Sequence, residues 1–246
     1  MSEVTPRLRM FAGPNGSGKT TVKNDLGKPA TWFGIYINPD ELEKTVRDTG
    51  FLSLIPFNCV CSQQEVVDYF TQSSFLQQHG LAAACRRIVA RDQGLDFRAI
   101  NFQSYHASVL ADFLRRNAVA AGRSFSFETV MSAPDKASLL EEARQRGYRT
   151  YLYFIATEDP AINMQRVRNR VADGGHHVSD EKISARYYRS LELLKTALRS
   201  TDRAYFFDTS EEHRPWYFAE VVGGNEILLK SQEIPAWFQP IWEHFT

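Results

Sequence analysis

The amino-acid sequence predicts an α/β fold with a doubly wound, mostly parallel five-stranded sheet. Two observations support this fold class. Short apolar segments, which are typical of buried strands, alternate along the chain with longer segments of helical character, and this alternation is typical of parallel sheets. In addition, the first apolar segment, LRMFA, leads directly into a glycine-rich stretch and then into a helical segment. This strand–loop–helix order is typical of the start of a parallel α/β sheet.

Each of the five strands is predicted from a short run of apolar, aromatic or β-branched residues. The runs lie at residues 8–12, 33–37, 123–128, 148–156 and 203–208. Helices are expected between them, at about residues 40–48, 134–146, 159–171 and 181–199. After the last parallel strand, residues 217–230 alternate around Gly223-Gly224-Asn225, and the aromatic segment IPAWFQPIW follows. We therefore expect residues 214–246 to form a β-hairpin and a tail that packs back onto the sheet.

Residues 50–122 do not follow this alternation. They contain helical stretches near residues 63–78, 80–92 and 104–121 and no clear strand. The segment has neither the composition of a linker nor an internal repeat. We therefore interpret it as a helical insertion within a single domain that covers residues 1–246.

The composition restricts the classes of function. The 246 residues include 29 Lys and Arg and 29 Asp and Glu, so the formal net charge is zero, which argues against a domain that binds nucleic acid through its overall field. No apolar run approaches the about 20 residues that cross a bilayer, and no signal peptide opens the chain. The three cysteines include no CxxC pair, which favours thiols in a reducing compartment over a disulfide framework. We expect a cytoplasmic protein with no membrane or nucleic-acid partner.

The glycine-rich stretch has the spacing of a phosphate-binding loop (P-loop, or Walker A motif). Gly13 is followed by four residues and then by Gly18, Lys19 and Thr20; we call residues 13–20 the phosphate loop. Its glycines let the backbone curl so that consecutive N–H groups surround phosphate oxygens, and the next helix adds the positive end of its dipole. The residues that we expect to hold ATP are Gly13, Pro14, Asn15, Gly16, Ser17, Gly18, Lys19, Thr20 and Thr21. Lys19 would reach the β- and γ-phosphates, and the Thr20 hydroxyl would bind Mg²⁺.

The sequence lacks the further motifs of GTPases and transport ATPases. It has no Asn/Thr-Lys-x-Asp motif for guanine recognition and no ATPase signature segment. The run YFFD at residues 205–208 comes close to the apolar run that ends in Asp in transport ATPases, but it lies on the last parallel strand. A small-molecule kinase needs fewer parts, namely a base, arginines over the transferred phosphoryl group and a flap that excludes water.

Acidic residues follow two predicted strands, at the edge of the sheet where ligands bind in open α/β folds. Asp40 follows the second strand and is a candidate base for an acceptor hydroxyl; alternatively, it caps the next helix. Glu128 and Thr129 follow the third strand. A carboxylate there can hold a magnesium-bound water or a substrate hydroxyl, and the alternative is a strand-end carboxylate in solvent.

A flap is predicted at about residues 170–182. Arg166 and Arg170 share a helix face, the pair Gly174-Gly175 supplies a pivot, and Arg186 follows on the next helix. Arginines that flank such a loop can fold over phosphates and neutralise charge in the transition state; the alternative is a solvated helix face. The two histidines after the glycines have no Cys or carboxylate at metal-ligand spacing, so we interpret them as solvated or phosphate-facing.

Four segments, taken in order, resemble the motifs of the zeta toxin family. They are GPNGSGKTT, NPD, SFSFETVMS and RVRNRVADGGHHVSDEKISARYYRSL. The resemblance covers about residues 8–40 and 122–210 and implies the P-loop kinase fold. Val130-Met131 departs from the Thr-Leu that the shorter bacterial branch tends to have, and the 50–122 insertion is longer than we expect for the family.

The resemblance also implies roles for individual residues. Lys19 would be the phosphate clamp and Asp40 the base. The substrate edge would include Glu128 and Thr129, and the transition-state arginines would be Arg170 and Arg186. Zeta toxins phosphorylate a hydroxyl on the amino sugar of UDP-N-acetylglucosamine, so the resemblance implies ATP with Mg²⁺ as donor and a nucleotide sugar as acceptor. Family toxins are restrained by a small helical antitoxin, which we expect here as a separate chain because residues 1–6 could not serve as a fused one.

Two other functions stay open at this point. A kinase of the same fold could use another nucleotide, a nucleoside or a nucleic-acid end as acceptor, although the neutral net charge argues against a nucleic-acid end. The chain could also be a binding module in which ATP orders the flap without phosphotransfer. Substitution of Asp40 separates a kinase from such a module.

Overall fold

The computed structural model describes residues 5–172, 178–212 and 214–245. In chain order its strands are β1 (Arg7–Ala12), β2 (Ile35–Ile37), β3 (Phe51–Ser53), β4 (Val89–Arg91), β5 (Gly94–Asp96), β6 (Phe125–Thr129), β7 (Arg149–Ala156), β8 (Arg203–Asp208), β9 (Trp216–Val222) and β10 (Glu226–Leu229). Its α-helices are α1 (Lys19–Asp25), α2 (Ala30–Phe33), α3 (Pro39–Thr49), α4 (Gln63–Thr71), α5 (Ser74–Gln78), α6 (Ser104–Ala120), α7 (Asp135–Gln145), α8 (Pro160–Ala172), α9 (Asp180–Arg199) and α10 (Gln239–Phe245). Short 3-10 helices lie at Ile55–Phe57, Ala82–Arg87 and Ala236–Phe238. Within the described ranges, no helix is both long enough and apolar enough to cross a membrane.

The chain divides into two compact units. The first unit contains the residues up to Phe33 and those from Ser126 onward, and the second unit contains Gly34–Phe125. The phosphate loop therefore belongs to the first unit, and Asp40 belongs to the second unit together with the insertion.

A mostly parallel sheet lies at the centre of the first unit. Its strands follow the order β10-β9-β8-β7-β1-β6. β7 pairs in parallel with β1 and with β8, so that Leu152 lies beside Met10 on one side and Ala204 on the other. β9 and β10 add an antiparallel hairpin after β8. The predicted α/β class, the mostly parallel sheet and the C-terminal hairpin are confirmed.

Apolar side chains of the strands and of the helices beside them form the core of this unit. Phe11 of β1 stacks on Tyr153 of β7 with ring centroids 4.6 Å apart, and Val22 of α1 packs into the same cluster. α9 buries Ile183 and Leu194, among others, along one face. Burial of one such apolar side chain contributes about 1.5–3 kcal/mol. This packing fixes the ends of β1, β7 and β8, from which the phosphate loop and its neighbours emerge.

The aromatic tail packs onto the sheet, as the sequence predicts. The ring of Phe238 is fully buried, and its centroid lies 4.8 Å from that of Phe206 and 4.9 Å from that of Phe218.

The carboxylate of Asp208 accepts two hydrogen bonds at the end of β8. Trp237 Nε1 donates to its Oδ2 at 2.8 Å, and the backbone N–H of Ser210 donates to its Oδ1 at 2.8 Å. The carboxylate that ends the YFFD run thus has a structural role at the end of β8.

The second unit combines helices with a small antiparallel sheet. α3 packs against α6, β2 lies in this unit, and β5 pairs with both β3 and β4. The expectation that residues 50–122 contain no strand is therefore wrong. Each of the three strands has only 3 residues, too few to show an alternating pattern. The turn between β4 and β5 also uses Asp92-Gln93 in place of a glycine-containing pair, so the usual hairpin signal is missing.

Candidate functional site

The phosphate loop is closely packed on its outer side. Gly13 and Gly16 have φ angles of 145° and 75°, in the region that favours glycine. A Cβ atom at Gly13 would lie 1.9 Å from the carbonyl oxygen of Ile155, and one at Gly16 would lie 2.6 Å from that of Asn163. The loop therefore packs against the end of β7 and against α8, and no larger residue fits at these two positions.

Lys19, the first residue of α1, folds back over the start of the loop. Its Nζ donates hydrogen bonds to the carbonyl oxygens of Gly13 (2.9 Å) and Pro14 (2.8 Å). Thr20 and Thr21 follow in the first turn of α1 with exposed side chains. The structure thus brings together the lysine, the loop carbonyls and the threonines that the motif predicts.

A hydroxyl and a carboxylate meet beside the loop. Thr20 Oγ1 donates a hydrogen bond to Glu128 Oε2 at 2.9 Å, although 108 positions separate the two residues. Glu128 is in β6, and only 9% of its surface is exposed, so the alternative of a solvated strand-end carboxylate is wrong. Hydroxyl and carboxylate oxygens fit Mg²⁺, which binds one or two protein side chains together with phosphate and water. In the part of the chain that the structure describes, no group of three or more His, Cys, Asp or Glu is placed to hold a metal ion.

Thr129 joins the end of β6 to the loop. Its carbonyl oxygen accepts a hydrogen bond from the N–H of Gly13 at 3.2 Å. Its Oγ1 accepts another from the N–H of Met131 at 3.0 Å. The backbone and the hydroxyl of Thr129 therefore shape the turn that follows Glu128.

Of the two predicted arginines, Arg186 contacts the loop. Its Nη1 donates to Asn15 Oδ1 at 3.4 Å, which is a long hydrogen bond. Arg170 lies in the last turn of α8, and its side chain is exposed. The predicted pivot, Gly174 and Gly175, lies outside the described residues, as do the two histidines that follow it.

Asp40 is the second residue of α3, in the second unit, and its side chain is exposed. Asn38 caps this helix, because its Oδ1 accepts a hydrogen bond from the Asp40 N–H at 2.9 Å. Pro39 supplies the first helical residue, as is common. The interpretation of Asp40 as the N-cap is therefore wrong, and capping does not account for its carboxylate.

Buried polar residues that the sequence pattern did not single out hold the outer side of the loop. Asn163 Nδ2 donates to the carbonyl oxygen of Asn15 at 2.6 Å, and Thr209 Oγ1 donates to that of Ser17 at 2.9 Å. Thr209 follows the end of β8, so its place at the ligand-binding edge of the sheet was a signal that could have found it. Asn163 lies within the polar helix α8, where no local pattern distinguishes it.

A sequence model of the zeta toxin family matches residues 91–213, which is half of the chain. The chain belongs to the zeta toxin family. The matched region includes Glu128, Arg170 and Arg186, whereas the phosphate loop precedes it. For this zeta toxin family member, the family match and the phosphate loop are therefore independent observations.

Solved structures similar to this zeta toxin family member share its fold. The crystal structure of AvrRxo1-ORF1:AvrRxo1-ORF2 with sulphate ions matches at a TM-score of 0.54 and 17% identity, over 98% of this chain and 64% of the matched chain. The crystal structure of AvrRxo1-ORF1:-ORF2 with ATP matches at a TM-score of 0.53 and 16% identity, over 98% of this chain and 64% of the matched chain. The chain thus spans less than two thirds of the length of these neighbours, and at such identities the likeness concerns the fold alone.

A curated relative matches a shorter part of the chain. It is an uncharacterized protein of Haemophilus influenzae, 27% identical over 63 residues. The match covers 26% of this chain and 45% of the relative.

Proposed function

We propose that this zeta toxin family member is an ATP-dependent kinase that transfers the γ-phosphate of ATP to a hydroxyl of a nucleotide sugar such as UDP-N-acetylglucosamine. The observation that carries the proposal is the phosphate loop, in which Gly13 and Gly16 permit a tight curl and Lys19 lies across its start. Family membership and a fold shared with a structure solved with ATP support it. We also propose that residues 1–246 act as one kinase domain.

The hydroxyl and carboxylate oxygens beside the phosphate loop are of the ligand type that Mg²⁺ prefers. Thr20 and Glu128, which already share a hydrogen bond of 2.9 Å, would hold the ion together with phosphate oxygens and water. When bound, the ion neutralises part of the phosphate charge.

In the proposed reaction, the acceptor oxygen forms a bond to the γ-phosphorus, and the bond between that phosphorus and the bridging oxygen of ADP breaks. The carboxylate of Asp40 accepts the proton of the hydroxyl. Lys19 and Arg186 neutralise charge on the phosphates, and Arg170 joins them from the end of α8. Glu128 and Thr129 help to position the acceptor.

The first experiment identifies the acceptor. The protein is incubated with ATP labelled in the γ-phosphate, Mg²⁺ and a panel of nucleotide sugars, nucleotides and nucleosides. Label is expected on a nucleotide sugar. Label on a nucleoside or another nucleotide would favour the kinase with a different acceptor. Binding of ATP without label on any acceptor would favour the binding module.

The second experiment tests the base. Asp40→Asn is expected to lower phosphotransfer by about 10²–10⁴ while the affinity for ATP stays unchanged. Glu41→Gln is a matched control, because Glu41 is the next residue in the same first turn of α3 and is also exposed; it is expected to leave phosphotransfer unchanged. Equal losses in both variants would contradict the role of Asp40.

We further propose a separate antitoxin protein as partner. The AvrRxo1 neighbours were solved as complexes of two components, ORF1 and ORF2, which supports a search for a second chain. Purification of the tagged protein from its native cells, followed by mass spectrometry, is expected to recover a small helical protein in a defined ratio. Recovery of the chain alone would count against this partner.

A further inference from the structure

Two side chains reach the outer side of the phosphate loop from distant parts of the first unit. Asn163 in α8 donates from Nδ2 to the carbonyl oxygen of Asn15 at 2.6 Å. Thr209, directly after β8, donates its one hydroxyl proton to the carbonyl oxygen of Ser17 (2.9 Å), and the carbonyl oxygen of Ala156 lies within hydrogen-bond distance of the same Oγ1 (3.2 Å). Asn163 is fully buried, and only 5% of Thr209 is exposed. Both donor side chains are therefore shielded from water.

We propose that Asn163 and Thr209 are positioning residues that aim the amides of the loop at the phosphates of ATP, an inference that rests on the proposed function. In a trans peptide the C=O and N–H groups point in opposite directions, and the described chain contains no cis peptide. A carbonyl that is held on the outer side therefore turns the following N–H toward the inside of the loop. The amides concerned are those of Gly16, after Asn15, and Gly18, after Ser17. Such inward amides bind phosphate in loops of this kind.

The orientation of the Asn163 amide is itself determined by its neighbours. The carbonyl oxygen of Asn15 only accepts hydrogen bonds, so the atom that faces it is the amide nitrogen. On the other side, Thr157 Oγ1 donates to Asn163 Oδ1. The carbonyl oxygen of Thr157 in turn accepts a hydrogen bond from the Tyr187 hydroxyl at 2.5 Å. Burial raises the pKa of Tyr187, so its hydroxyl keeps the proton that it donates.

The position of Thr209 is determined by its backbone. Its N–H donates to the carbonyl oxygen of Ala156 at 3.0 Å, which ties it to the end of β7. Its own carbonyl oxygen accepts a hydrogen bond from Arg166 Nη2 at 2.7 Å, which ties it to α8. Because α8 also carries Asn163, one helix supports both contacts to the loop.

The test uses valine substitutions, which keep the side-chain volume of threonine. Thr209→Val removes the hydroxyl, and Thr209→Ser is the matched control that keeps it. Thr157→Val removes the donor that orients Asn163 and tests the other contact independently. The dissociation constant for ATP with Mg²⁺ is measured by isothermal titration calorimetry, at a temperature at which thermal unfolding shows each variant to be fully folded.

Thr209→Val is expected to weaken ATP binding roughly two- to tenfold, which corresponds to the loss of one net hydrogen bond. Thr209→Ser is expected to restore the wild-type dissociation constant, and Thr157→Val is expected to weaken binding by a smaller factor. A purely structural role would lower the melting temperature and leave the dissociation constant of the folded protein unchanged.

The outcomes separate this inference from the proposed function. If the wild-type protein binds ATP and both valine variants bind it equally well, the inference is overturned and the proposed function stands. If the wild-type protein does not bind ATP, both are overturned. If Thr209→Val does not fold, the dissociation constant of Thr157→Val for ATP tests the inference alone. A weaker affinity than that of the wild-type protein supports the inference, and an unchanged affinity overturns it.

Discussion

Backbone in the left-handed region occurs in two different settings in this protein. In the phosphate loop, Gly13 and Gly16 face carbonyl oxygens of neighbouring elements that leave no room for a Cβ atom. In the turn between β4 and β5, Asp92 and Gln93 have φ angles of 50° and 55°, and their side chains are exposed. Residues other than glycine tolerate φ angles of about 50–60° at a cost of about 1–2 kcal/mol, so a positive φ angle of this size does not by itself require glycine. In the phosphate loop, glycine is required because neighbouring backbone atoms pack closely against the outer side of the loop. The same packing holds the amides of the loop in place.

The largest effect is expected for Gly13→Ala. Its Cβ atom would lie 1.9 Å from the backbone oxygen of Ile155, so the loop must move. We expect the free energy of unfolding to fall by about 3–5 kcal/mol, from backbone strain and overpacking together. Displacement of the loop amides should weaken ATP binding by about a hundredfold or more. Denaturant titration and calorimetry measure the two effects.

Gly27→Ala is the control for this prediction. Gly27 has a φ angle of 59°, and among the described residues, its two chain neighbours aside, no heavy atom lies within 4 Å of a Cβ atom placed there. We expect a loss of about 1–2 kcal/mol from backbone strain alone and unchanged affinity for ATP. Equal effects of the two substitutions would contradict the importance of packing.

A smaller effect is expected within the β9–β10 hairpin, where two glycines provide a matched pair. A Cβ atom at Gly224 would lie 2.7 Å from the backbone oxygen of Leu198, whereas at Gly223 the nearest atom is the side-chain oxygen of Asn225 at 3.3 Å. Both residues have positive φ angles. Gly224→Ala is therefore expected to lower the free energy of unfolding by about 1–3 kcal/mol more than Gly223→Ala. Chemical denaturation of both variants provides the measurement, and a larger loss for Gly223→Ala would show that the contact with Leu198 adjusts easily.

The smallest effect is expected at the exposed turn and has the opposite sign. Gln93→Gly removes the strain of a left-handed glutamine and should raise the free energy of unfolding by about 0.5–1 kcal/mol. The backbone oxygen of Gln93, which accepts a hydrogen bond from Leu54 at 2.8 Å, stays in place. Gln93→Ala keeps the strained conformation and should change stability little. If Gln93→Gly and Gln93→Ala have the same free energy of unfolding, backbone strain at residue 93 does not destabilise the protein and the prediction is wrong.

The parts of the fold that the sequence predicted correctly depend on residues close together in the chain. The strand at residues 203–208 has the predicted bounds, because its apolar run and its flanking residues are local signals. The glycine spacing of the phosphate loop and the position of Lys19 are local in the same way. The Asn38-Pro39 pair is also a local signal for the N-cap of α3, because proline favours the first helical position and therefore indicates the residue before it as the cap.

The parts of the fold and of the candidate site that the sequence did not predict depend on contacts between residues that are distant in the sequence. The strands β3, β4 and β5 are each too short to be recognised by themselves, and they become strands because they pair with one another. Glu128 was expected at the ligand edge, but only the folded chain shows that it is buried and bonded to Thr20. No alternation of hydrophobic residues indicates such a pair.

The sequence by itself determined the α/β class, the phosphate loop and the resemblance to the zeta toxin family, since each is read from short segments in a given order. Only the tertiary structure decided what holds that loop. Thr209 and Ser17 are 192 positions apart, and Asn163 and Asn15 are 148 positions apart. The physical reason is that a buried carbonyl needs a donor, and which residue supplies it is decided by how the strands and helices pack, a property that no single segment carries.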